Sequence, residues 1–276
     1  MGTKHRINLK VILIFFALVV VSLFFMFPLV WIFLSSLKTR AQIMSKSPIL
    51  VFIPTLENYQ QIFSVEKFHW NFLNSLIIAS STTGIALFLG MLAAYGFSRF
   101  RFRGRDNIAF MILSFRMLPP IAVVIPLFLL YKYVNFVDSY QGMVIAYLTF
   151  TLPFVTWLMR GFFDEVPEEV DESAMLDGCS RWGTFWRVAV PLSKSGMIVS
   201  GVFSFIFCWN EYLMSLILTR DRVQTVPVAT ATFLRQFEIL WGPMFASCIF
   251  VIAPLLVMLF FVQKHLVKGM TFGAIR

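Results

Sequence analysis

Six runs of this 276-residue chain are each long and apolar enough to cross a bilayer, and no other feature restricts the fold so severely. A helix needs about 20 apolar residues to span a hydrocarbon core about 30 Å thick. The runs lie at 11–34, 72–96, 108–130, 143–162, 196–218 and 245–262. Hydrophobic residues make up 59% of the chain and charged ones 13%, against about half and about a quarter in a soluble domain. Because lipid offers the backbone no partners, each run must satisfy its own amides, which predicts an all-α, polytopic membrane protein with six transmembrane helices.

The first run follows a basic prefix (Lys4, Arg6, Lys10) like that of a signal peptide. It is too long for one, and no small-residue cleavage site follows, so it reads as a retained anchor. Positively charged loops stay on the cytoplasmic side. With the N-terminus inside, the inner segments hold fourteen of the 23 Lys and Arg residues, among them Arg99, Arg101, Arg103 and Arg105, against eight outside. Both termini are therefore expected in the cytoplasm, in a cytoplasmic (inner) membrane. The net charge of +9 serves topology and suits anionic lipid headgroups. Nucleic acid is not an expected partner, because the basic run RFRFRGR at 99–105 lies where a juxtamembrane anchor belongs.

Several chemistries are excluded. Three cysteines (Cys179, Cys208, Cys248) form no disulfide framework, and three scattered histidines form no metal site. The spans contain no histidine and almost no acid, so no catalytic residues are expected. GCSRWGT at 178–184 has the glycine spacing of a phosphate loop, but Thr184 stands in place of its lysine and no strand precedes it. No cofactor should bind to this chain.

Two ionisable groups do fall inside spans, Arg116 in FRMLPP and Glu211 in CWNEY, at depths within about 6 Å of each other. Either each is satisfied separately or the two form an ion pair beside a central cavity. Pro119 and Pro120 should kink the third span and open space beside it, which Asn210 and Glu211 could line. Ala86, Gly90 and Ala94 fall four apart and would let another helix approach closely. In the first outer loop, 35–70, Leu56, Tyr59 and Phe63 suggest a short interfacial helix.

Half of the fourteen acidic residues lie between 164 and 177. Pro167 suits a first helical turn, Gly178 a helix stop and Ser180 a second cap, and Pro191 follows the second helix. The pattern is two short helices around a glycine corner, reading either as a knob for a groove on another protein or as an ordinary loop helix lying on its own bundle.

The run Glu172, Ser173, Ala174, three residues, Gly178, nine residues, Val188, Ala189, Val190, Pro191 resembles the EAA signature (E-A-A-x3-G-x9-I-x-L-P) of permease subunits in binding-protein-dependent ABC importers. Ser173, Val188 and Val190 depart from it by small or aliphatic exchanges. PTLENY at 54–59, RMLPP at 116–120, WNEY at 209–212 and the ending LVKGMTFGAIR are similar to the smaller (MalG-like) permease of maltose-type carbohydrate importers. The resemblance implies the type I ABC importer (MetI-like) permease fold. It also implies a sugar or oligosaccharide as solute, a second homologous permease, two cytoplasmic ATPase subunits holding ATP and Mg, and an external sugar-binding protein. Glu172, Ser173, Ala174, Asp177, Gly178, Val188 and Pro191 would then couple to the ATPase, and Arg116, Pro119, Pro120, Asn210 and Glu211 are candidates for the translocation path. Residues 1–69 would form the N-terminal segment, first span and outer loop, and 70–264 the transmembrane core with its coupling loop at about 164–194. Residues 265–276 would be a cytoplasmic tail that also touches the ATPases. The same architecture importing another solute, such as a polyol phosphate, remains open, as does an ATP-independent carrier or channel.

Overall fold

Apart from one isolated bridge pairing Leu234 with Ile239, regular structure among the described residues is helical. The computed structural model describes residues 9–234 and 238–272, with backbone alone at 9, 261 and 264–272. The chain divides into two compact units, residues 1–67 with 232–250 and residues 68–231 with 251–276.

In the first unit, α1 (Leu9–Ser36) is an apolar helix with no buried residue in its most hydrophobic window. Two short helices follow, α2 (Arg40–Ile43) and α3 (Glu57–Gln60). Thr39 and Gln42 close α2 with a reciprocal capping box. A wide π turn, Gln61–Val65, continues α3, so the expected short helix is present. The Asn58 amide donates to the carbonyls of Ser36 and Lys38, both at 2.8 Å, and the Tyr59 hydroxyl meets Ser36 Oγ at 2.7 Å. Tyr59 and Phe63 stand edge-on to Phe250. These bonds fix the loop to the end of α1.

The second unit is built on α4 (Phe68–Arg99) and α7 (Tyr140–Asp164). Ala86, Gly90 and Ala94 are all buried. A Cβ on Gly90 would lie 2.6 Å from Val155 Cγ1 and 3.3 Å from the Thr156 amide. The small residues thus let α4 and α7 approach to backbone contact.

Among the described residues, four helices are long and apolar enough to span: α1, α4, α7 and α14 (Trp241–Phe272). The expected third and fifth spans are interrupted rather than continuous helices, and with each bent helix pair counted as one span the described residues hold up to six. The third is split into α5 (Arg105–Ser114) with a 3-10 turn, Phe115–Met117, and α6 (Pro120–Tyr133), meeting at 90°. Leu118 and Pro119 each precede a proline and both are extended (ψ 128°), because the following ring crowds out the helical region. The kink expected at Pro119 and Pro120 is thus a full break.

The expected fifth span becomes α11 (Lys194–Trp209) and α12 (Leu213–Leu218). The carboxylate of Glu211 separates them, accepting the Met214 and Ser215 amides at 3.0 and 3.1 Å and so capping α12. The sixth helix was expected to stop near 262, but its backbone stays helical to Phe272, and residues 273–276 lie outside the described residues.

Between α6 and α7 the chain turns through Asn135 and Asp138, both at positive φ. The Asp138 carboxylate accepts the amides of Arg220, Arg222 and Val223 at 3.0–3.1 Å. Asn74 donates to the carbonyls of Arg222 and Gln224 on the same segment, which leads into α13 (Val226–Ala231).

Candidate functional site

The acidic loop leaves α7 through Val166 and Pro167 and enters α8 (Glu168–Leu176), with Glu168, Glu169 and Asp171 in the first turn, where the helix dipole favours negative charge. Its far end is a complete glycine stop. The Cys179 amide bonds the Ala174 carbonyl and the Gly178 amide the Met175 carbonyl, with Gly178 at φ +93°. Ser180 Oγ then accepts the Gly183 amide and starts α9 (Arg181–Thr184).

Pro191 was expected to follow the second helix, but helix continues past it. A π turn at Phe185–Ala189 leads into α10 (Val190–Leu192), with Pro191 in its first turn. Proline has no amide to donate one turn back, and the wider turn accommodates that loss. The 77° bend comes at Ser193, between Arg181–Leu192 and α11.

Glu172, Ser173, Asp177, Gly178 and Pro191 are exposed, and Ala174 and Val188 half-buried. Ser173 Oγ donates to the Glu169 carbonyl at 2.8 Å, so the serine at the second alanine position turns its hydroxyl onto its own helix. Leu176 is 88% exposed, with Val170 and Met175 also open on α8.

The anchor of α8 is a contact that no local sequence pattern marks. Of the seven acids at 164–177, Asp171 alone is buried. Its Oδ2 accepts from Arg99 Nε at 2.6 Å and from the Tyr95 hydroxyl at 3.1 Å. The same guanidinium donates to the Phe163 and Val166 carbonyls, and Ser98 donates to Asp164 at 2.6 Å. One arginine therefore ties the end of α4 to the end of α7 and the start of α8. Beneath it, Tyr95, Phe163 and Phe185 pack ring to ring. The available signal was an arginine closing a long apolar run opposite an acidic loop, but nothing marked which acid it would choose.

The second feature is a cavity of about 590 Å³ between the broken helices, lined by Phe115, Arg116, Phe150, Phe207, Glu211 and Met214 among others. The Arg116 guanidinium lies 4.4 and 4.6 Å from the ring centres of Phe154 and Phe207, a cation–π clamp. Among the described residues Arg116 and Glu211 form no ion pair, although both face the cavity; the Glu211 carboxylate is held by the α12 amides. Pro120 also lines the cavity, Pro119 forms the break, and the Asn210 amide turns back to the Ile206 carbonyl at 2.9 Å. No cluster of potential metal ligands occurs among the described residues.

A helical membrane chain with an internal cavity between interrupted helices and an anchored, outward-facing acidic loop has the architecture of a transport subunit. Residues 86–272 match the family described as "Binding-protein-dependent transport system inner membrane component", and the chain belongs to that family. It is 34% identical over 272 residues to the trehalose/maltose transport system permease protein MalG of Thermococcus litoralis, covering 97% of this chain and 98% of that one. It is 34% identical over 252 residues to the trehalose transport system permease protein SugB of Mycobacterium tuberculosis, covering 90% and 92%. Among solved structures, a chain of a bacterial ABC transporter involved in the import of the acidic polysaccharide alginate superposes with a TM-score of 0.77 at 21% identity, covering 96% of this chain and 99% of that one. The protein is thus a multi-pass inner-membrane permease subunit with the importer fold.

Proposed function

We propose that this permease carries a sugar or short oligosaccharide inward, powered by ATPase subunits that bind ATP and Mg and delivered to by an external binding protein. The sugar assignment is supported by the named substrates of relatives that match over nearly the whole chain. A second homologous permease completes the path. Both termini face the cytoplasm, as the basic residues favour.

The observation that carries the mechanism is the form of α8. It projects exposed apolar side chains (Val170, Met175, Leu176) rimmed by acids, while Arg99 holds its base to two long helices. Such an element can sit in a cleft of a moving ATPase and pass displacement to α4 and α7 without dissolving into its own bundle. Glu172, Ser173, Ala174, Asp177 and Gly178 form the gripped corner, and Val188 and Pro191 shape the arm behind it. The cavity beside Arg116, Pro119, Pro120 and Glu211 belongs to the route the solute takes as the helices rock.

The test is reconstitution of the chain with its neighbouring permease, ATPase and binding protein in liposomes. Sugar uptake that requires both ATP and the binding protein supports the reading. Uptake by this chain alone, indifferent to ATP, overturns it.

A further inference from the structure

Beyond transport, the first unit contains a basic pocket to which the proposed function assigns no role. It measures about 260 Å³ and is lined by Trp31, Ser35, Lys38, Gln42, Lys46 and Trp241 among others. None of its lining residues is acidic, and two of them, Lys38 and Lys46, are basic.

Lys38 is only 3% exposed. Its Nζ lies 4.9 Å from the Trp31 ring centre and 5.1 Å from that of Phe52, and no hydrogen bond or ion pair reaches it among the described residues. The nearby acid, Glu238, pairs instead with Arg40 at 2.5 Å. Aromatic faces recover part of the solvation a buried ammonium loses, but a charge so enclosed is normally paired. The side chain cannot easily withdraw, because the Lys38 carbonyl is fixed by Asn58 and the preceding residues end α1.

The setting identifies the anion. Lys38 follows the last turn of α1, whose run from Val11 to Leu34 is apolar but for Ser22, which puts it at the depth of the headgroups. Trp31 and Trp241 flank the pocket as interfacial tryptophans do. Next to it the loop exposes Leu50, Val51 and Ile53 at 66%, 94% and 86%, a surface suited to acyl chains and poorly suited to water.

We propose that this pocket is a phospholipid site, in which Lys38 and Lys46 hold the phosphate of a headgroup while the acyl chains run beside 50–53. Gln42, whose Oε1 caps the Thr39 amide, leaves its amide nitrogen as a third donor. The ligand class is a phosphodiester lipid, and the bound molecule fixes the first outer loop to the membrane surface.

Native mass spectrometry of the assembled importer, delipidated in detergent, provides the test, and it reads lipid binding whether or not the complex transports sugar. The probes are dioctanoyl phosphatidylglycerol, dioctanoylglycerol without the phosphate, and inorganic phosphate. Phosphatidylglycerol should fill one saturable site, with dioctanoylglycerol and inorganic phosphate at least about tenfold weaker. Lys38→Gln should weaken phosphatidylglycerol binding by about tenfold or more. Lys46→Gln, an exposed position whose exchange leaves the fold intact, should weaken it about fivefold. Equal binding of the phosphate-free lipid or of inorganic phosphate overturns the assignment. So does unchanged binding in the Lys46→Gln complex, or carbodiimide coupling of Lys38 to a carboxylate of the binding protein.

Discussion

Arg99 Nε and Asp171 Oδ2 meet at 2.6 Å with side chains only 9% and 4% exposed. A pair so enclosed costs much to desolvate and more to break, since removing one partner strands the other. Arg99→Ala would also release the Phe163 and Val166 carbonyls. It should destabilise the subunit by about 3–5 kcal/mol, read as a lowered thermal midpoint of the detergent-solubilised complex. Arg99→Lys should recover only part, because one ammonium cannot reproduce the planar fork. If α8 transmits force through this joint, Arg99→Lys complexes that assemble should hydrolyse ATP with reduced sugar uptake per ATP.

Gly178 makes the opposite kind of prediction. A Cβ there would meet nothing within 4 Å, yet φ is +93°, so the cost of substitution is conformational. Gly178→Val should strain the turn by about 1–2 kcal/mol, leave the chain inserted, and separate ATP hydrolysis from uptake. Gly178→Asn should be milder, since asparagine tolerates the left-handed region. Equal uptake-to-hydrolysis ratios in wild type and Gly178→Val would remove this corner from the coupling path.

At Gly90 the limit is space. Gly90→Ala should cost about 1–3 kcal/mol through overpacking against Val155 and the Thr156 backbone. Gly84→Ala, with nothing within 4 Å, should be neutral or slightly stabilising. Combining Gly90→Ala with Val155→Ala should recover part of the loss, measured by thermal denaturation of the purified complexes.

Some of this was legible in the residues and some was not, for physical reasons. Apolar length and the four-residue spacing of Ala86, Gly90 and Ala94 report local, periodic demands, and the helices and the α4–α7 contact follow from them. The glycine corner was legible because Gly178 and Ser180 act on their own backbone. The choice of Asp171 by Arg99 is a contact across 72 positions, which no local pattern encodes. The break at 210–212 was hidden for a related reason: in sequence Glu211 reads either as satisfied on its own or as paired with Arg116, and of these the first holds, its carboxylate serving the amides three and four residues on, a role that ends one helix and starts another without a residue pattern to mark it.

That local role of Glu211 distinguishes two outcomes for the cavity. With Arg116 held by Phe154 and Phe207 and Glu211 by α12, exchanging the two charges should not restore function. Arg116→Glu and Glu211→Arg should each lower uptake, and the double variant should be no better than the worse single one. Restored uptake in the double variant would show a paired state that forms during the cycle. Phe207→Ala should also impair uptake, by loosening the arginine with both charges unchanged.

The Asp138 carboxylate gathers three amides from a segment more than eighty positions later in the chain. During synthesis that acid emerges long before its partners exist, so the ribosome must deliver α11 and α12 before this face can set. Any product released earlier lacks the three amides that Asp138 gathers. Such an unclosed end would give quality-control proteases a ready means of telling a truncated permease from a finished one.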